Sequence, residues 1–142
     1  MVEKEHVAIV IPHTDITLEM DLQAQLSECV IHSERMWLAD VSEKAEQEMI
    51  DRKLPRALNY LKGIYPFKCA VFGCTSASVP HGPEGMKKIE KDMARELGCP
   101  AISVFGAVLS ELERHQATKV AILTPYTEEV NAFLRRPWYN LA

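Results

Sequence analysis

Apolar residues gather in short runs of strand length: "VAIVI" (7–11), "CAVFG" (69–73), "PAISV" (100–104) and "VAILT" (120–124), with a weaker, partly polar run "CVIHSERMWL" (29–38). Between these runs the period changes to that of a helix. Leu18, Leu22 and Leu26 recur every four residues after Thr17, the expected N-cap. Ala45, Met49, Leu54, Leu58 and Leu61 follow Ser42 and stop at Gly63, with Pro55 expected to kink that helix. Met86, Ile89, Met93 and Leu97 form a third stripe ending near Gly98, and Val108, Leu109 and Leu112 lie on a fourth helix. Regular alternation of strand and helix predicts an α/β layer fold with right-handed crossovers. The expected architecture is a parallel sheet in the order 2-1-3-4, with helices on both faces.

The chain also repeats itself. Setting "HVAIVIPHTDITLEMD" (6–21) over "KVAILTPYTEEVNAFL" (119–134) gives five identities in sixteen positions at an offset of 113 residues. The expected division is a first lobe over residues 1–118, with 119–142 as the opening strand and helix of an incomplete second lobe. Residues 120–124 should then diverge from the first sheet or dock on its edge. Pro137 should break the helix begun by Val130, Phe133 and Leu134.

Composition narrows the function classes. An apolar content of 47% with 25% charged residues is that of a folded domain, and the net charge of -4 argues against nucleic acid as the main partner. Neither a signal-peptide pattern nor an apolar run of membrane-spanning length is visible, so a cytoplasmic protein with no membrane partner is expected. Cys29, Cys69, Cys74 and Cys99 fit neither a disulfide scaffold nor a zinc pattern, and reduced thiols are expected.

Of the four, Cys74 stands apart. In "CAVFGCTSASVPHGPEG" (69–85) it follows a buried strand and Gly73, at the carboxyl end where open parallel sheets place their ligand sites. Cys29, Cys69 and Cys99 read as core residues. Familiar templates fail: no arginine stands six places after Cys74 as in cysteine-dependent phosphatases, and neither phosphate-binding glycine loop is present.

The segments "VFGCTSAS", "VLSELERHQATKVAILTPYTEEVNAFL" and "VAIVIPHTDITLEM" resemble the aspartate/glutamate racemase superfamily, especially its maleate isomerase and arylmalonate decarboxylase branches. The resemblance runs to about Leu134. It implies two flavodoxin-like three-layer lobes related by a pseudo-twofold axis, with a small carboxylate between them and no metal or organic cofactor. Cys74 matches the first-lobe cysteine of the racemases, which faces a second cysteine across the substrate carbon. The matching second-lobe position would fall beyond Ala142.

Breaking a C–H bond beside a carboxylate requires donors aimed at the developing oxyanions. The resemblance assigns carboxylate binding to Thr75 and Ser76 on one side and to Tyr126 and Thr127 on the other. Cys74 beside them would serve as acid, base or nucleophile. Its thiolate should form near neutral pH, well below the roughly 8.5 of a free cysteine. His13 and His81 flank the expected site.

One departure from the pattern is "PHTDITLE", which puts Asp15 where the maleate branch has an asparagine. Either Asp15 turns away to cap the helix near Thr17, or the substrate differs and carries an amine. Three functions therefore stay open: a racemase, isomerase or decarboxylase completed elsewhere, a carboxylate-binding module without turnover, and an inactive remnant. A lone lobe would expose apolar surface, so a homo-oligomer is expected.

Overall fold

The computed structural model describes residues 4–78, 82–128 and 131–132. Strands β1 (Glu5–Pro12), β2 (Cys29–Met36), β3 (Cys69–Phe72) and β4 (Ala101–Ser103) form one parallel sheet in the order β2-β1-β3-β4. The central strand β1 pairs Ala8 with His32 on one side and with Ala70 on the other. Phe72 pairs with Ser103 at the opposite edge.

Alternate residues of β1 serve opposite faces. Ala8 and Val10 join Ala70 and Phe72 under Leu54, Leu58 and Leu61 of α3 (Leu54–Leu61) and Ile89 and Met93 of α5 (Gly82–Leu97). Val7, Ile9 and Ile11 face Leu18, Leu22 and Leu26, the stripe that α1 (Leu18–Gln25) and its C-cap present. Both faces of β1 are thus fully apolar, as a buried parallel strand requires. The sheet's second face is less covered at its far edge, where Ile102 is 40% exposed.

The helices depart from the sequence-based expectation at the start of α1. Thr17 is the N-cap residue of α1 but its side chain makes no capping bond; Asp15 Oδ1 accepts from the backbone N–H of Thr17 and of Leu18, both at 3.0 Å. Around Pro55 the helical run changes character: α2 (Glu43–Glu48) widens into a π turn over Met49–Lys53 and passes into α3, which holds Pro55 in its first turn. Ser42 caps α2 as expected, accepting from Ala45 N–H.

Residues 120–124 carry no strand and pair with none of the four strands. The apolar run is exposed there, Leu123 by 99%. The segment joins neither open edge of the sheet, so strand composition alone does not order it. The expected helix break at Pro137 lies outside the described residues.

Within the sheet, His6 of β1 and His32 of β2 bring Nδ1 and Nε2 to 2.7 Å, with Tyr65 stacked on His6 at 3.8 Å between ring centroids. Burial, and secondarily the neighbouring His6, hold the His32 pKa below its ordinary value. As pH falls through the unfolded value of about 6.5, the unfolded chain takes up a proton that folded His32 refuses, so stability falls toward acid. Between pH 8 and 5.5 the urea midpoint of the wild type should therefore fall relative to that of His32→Gln. Parallel curves would remove His32 from the effect.

Candidate active site around Cys74

Gly73 and Cys74 leave β3 at its carboxyl end and lead into a single turn, α4 (Thr75–Ser78). The exit is tight. Gly73 N–H donates to Val10 O at 2.8 Å, and a Cβ on Gly73 would come within 2.6 Å of Ile11 Cγ2 and nearer still to Leu18. Only glycine lets the chain turn so close to β1 and α1.

Cys74 is 4% exposed, with its Sγ 3.7 Å from Ser76 Oγ. Burial pushes its thiol pKa up. The Ala77 backbone N–H and the Ser76 hydroxyl oppose this, while the carboxylates of Glu46 and Asp15 add to it. This corrects the expectation of a thiolate near neutrality, because the donors of the turn are outweighed by desolvation and two nearby acids.

The second motif arrives from the other side. Tyr126 packs against Met86 and Phe105, the latter on α6 (Val104–Arg114). Burial raises its phenol pKa, the charge of Cys74 raises it further, and a side-chain hydrogen bond with Thr75 pulls it back. Its loop is held by residues of the same motif. Thr124 Oγ1 donates to Asn131 Oδ1 and accepts from Tyr126 N–H, while Asn131 Nδ2 donates to Tyr126 O at 3.1 Å. The structure thus brings Cys74, Thr75, Ser76 and Tyr126 together.

The other candidates lie differently. Thr127 is exposed and offers its backbone carbonyl to Asn131 N–H. Asp15 is committed to the start of α1, yet its charge still reaches Cys74. His13 stacks on Trp37 and its Nδ1 accepts from Leu38 N–H at 3.2 Å, which ties the loop after β1 to the end of β2. His81 lies outside the described residues. No group of three or more metal-ligating side chains occurs among the described residues, and no described helix is long and apolar enough to cross a membrane.

Sequence reasoning missed Glu46. It is 1% exposed, and neither carboxylate oxygen has a hydrogen-bond partner among the described residues. Burial pushes its pKa up, the nearby Ser76 hydroxyl partly offsets this without forming a full hydrogen bond, and Asp40 adds to the rise. A signal was present in the sequence. Position 46 lies three residues before Met49, on the apolar stripe of α2 rather than its polar face.

Known structures share this fold. A maleate isomerase from Pseudomonas putida S16 superposes with a TM-score of 0.88 at 19% identity, covering 98% of this chain and 60% of the other. A maleate cis-trans isomerase variant from Nocardia farcinica, solved with a covalently bound succinylcysteine intermediate, gives 0.85 at 22% identity over 98% and 60%. A liganded arylmalonate decarboxylase variant gives 0.83 at 19% over 96% and 57%. The chain therefore has the α/β fold of maleate isomerases and arylmalonate decarboxylases, and spans about 60% of their length. No protein-family model matches the sequence, and no curated protein does.

Proposed function

We propose that this chain carries the first lobe, and the opening of the second, of a cofactor-independent enzyme acting on a small carboxylate. Its chemistry is that of an isomerase or racemase, or of a decarboxylase, within the aspartate/glutamate racemase superfamily. The observation that supports this most directly is the meeting of Cys74, Thr75, Ser76 and Tyr126 beyond the carboxyl end of β3. Two hydroxyls and a phenol around one thiol suit a substrate whose carboxylate must be held while negative charge builds up beside it. Thr75, Ser76 and Tyr126 bind the carboxylate, and Cys74 is the reacting thiol, as acid, base or nucleophile. Thr127 contributes at the rim, and Asp15 bears on the site through its charge while capping α1.

A second reading keeps the binding and drops the turnover. The upward push on the Cys74 thiol favours it, since a neutral buried thiol is a poor nucleophile.

Exposed Ile16, Trp37, Val120, Ile122 and Leu123 form apolar surface that a second lobe would cover. That lobe is supplied by further chain or by a second copy, making a homo-oligomer.

Maleate, aspartate and phenylmalonate should each be tested for protection of Cys74 against alkylation, read by peptide mass spectrometry, with turnover followed by NMR and the same samples sized by light scattering. Protection with turnover supports the enzyme, and protection alone supports the binding module. Unprotected Cys74 with all three would overturn both readings, and a monomer that protects and turns over would remove the need for a second copy.

A further inference from the structure

The least explained group in the molecule is Glu46. A carboxyl buried to 1% exposure, with both oxygens lacking a hydrogen-bond partner among the described residues, is costly to keep, and such groups in folded proteins need a reason. Its surroundings supply one. Glu46 sits on α2, which packs against α4, and Ser76 of α4 places its Oγ 3.7 Å from Cys74 Sγ. The Ser76 hydroxyl thus lies against the thiol and close enough to Glu46 to influence its ionisation, without being hydrogen-bonded to it in this structure.

We propose that Glu46 is the proton partner of the Cys74 thiol, exchanging a proton with it through the Ser76 hydroxyl. The proposal rests on the reading of Cys74 as the reacting thiol. In the forward step the S–H bond of Cys74 breaks and its proton passes to Ser76 Oγ. Ser76, its hydroxyl turned to make the hydrogen bond that Glu46 lacks in this structure, releases its own proton to a Glu46 carboxylate oxygen. An O–H bond forms on Glu46, and the negative charge moves from carboxylate to sulfur with no net change within the site. The reverse step returns the proton to sulfur.

This arrangement answers the difficulty raised by the buried thiol. A thiolate formed by losing its proton to solvent would sit beside a charged Glu46, and the two anions would repel. A thiolate formed by proton transfer to Glu46 leaves only one charge in the site. Glu46 is a positioning residue in this role, acting through Ser76 rather than on a substrate.

Coupled groups titrate as a pair, which gives the relay a signature in pH. The other ionisable groups near the pair are Asp40 beside Glu46, Asp15 beside Cys74, and Tyr126, which senses both. Alkylation of Cys74 by iodoacetamide, followed by peptide mass spectrometry from pH 5 to pH 10, should rise in two steps in the wild type. The lower step marks ionisation of the pair as a unit, and the upper marks loss of the second proton. Glu46→Gln should lose the lower step and label about tenfold more slowly at pH 7, a one-unit change in the proton balance. Glu46→Asp, which keeps the acid, should restore part of the lower step. Glu46→Gln labelling as fast as or faster than the wild type at pH 7 would overturn the proposal, because Glu46 would then act only as a repelling charge. A single step in the wild type would also overturn it. Unchanged circular dichroism and urea midpoints identify a folded variant, and should Glu46→Gln fail to fold, the wild-type profile alone decides. Labelling needs no substrate, so loss of the relay and loss of carboxylate chemistry are distinguished.

Discussion

Gly73→Ala should lower the stability of the fold by about 2–3 kcal/mol, as an added methyl forces apart a packed interior. The new Cβ would lie 2.6 Å from Ile11 Cγ2 and closer to the tip of Leu18; half-buried Leu18 can swing aside, but fully buried Ile11 cannot. Ile11 is fully buried in β1, and Leu18 packs onto the same cluster from α1. The Gly73 backbone is fixed by its hydrogen bond to Val10 O, so the strain falls on the contact between the β3 exit and β1. Gly63→Ala provides the comparison. Gly63 adopts a φ of +80°, and a methyl added there would meet nothing within 4 Å, so its loss carries only backbone strain, about 1 kcal/mol. Urea midpoints of the two variants measure the difference. Equal costs would mean that the β3 exit relaxes at little expense and that glycine is not demanded by packing there.

The parts of this fold that were legible in the sequence are those set by burial. Apolar runs such as Val7–Ile11 and Cys69–Phe72 have one physical explanation, a strand covered on both faces, and alternation with helical stripes left few ways to order them. What escaped was set by contacts between distant positions. The start of α1 was half legible: Asp15 turns to cap the helix, one of the two outcomes its position left open, and displaces Thr17 because its carboxylate reaches two backbone N–H groups at once. The exposed segment 120–124 has strand composition but pairs with neither open edge of the sheet. The same limit applies to the site. Small hydroxylic residues after a strand marked Cys74, Thr75 and Ser76, and the T-P-Y-T stretch marked Tyr126, but the sign of the Cys74 pKa shift depended on carboxylates brought in from two other loops and helices. Sequence spacing says nothing of them.

Glu46→Leu should raise stability at neutral pH by about 1–3 kcal/mol, the usual cost of a buried polar group left unsatisfied. Leucine fills a similar volume on a stripe that already holds Ala45 and Met49, and it needs no hydrogen bond. The pH dependence fixes the cause. Burial pushes the folded carboxyl pKa above its unfolded value of about 4.3, so above that pH the unfolded chain releases a proton that the folded chain retains. The Glu46 contribution to wild-type stability should therefore fall as pH rises from about 4.3 until the folded Glu46 pKa is passed, a decline that the difference between wild type and leucine variant isolates from other groups. The advantage of the variant should then be larger at neutral pH than near pH 4.5, which urea midpoints at the two values will show. A variant less stable than the wild type at neutral pH would mean that Glu46 contributes more by its contacts than it costs by its burial. If the gain is as expected, the chain retains an acid beside Cys74 at the expense of its own stability, and a stabilised Glu46→Leu chain without the lower step in Cys74 labelling would place the reason in the chemistry of the thiol.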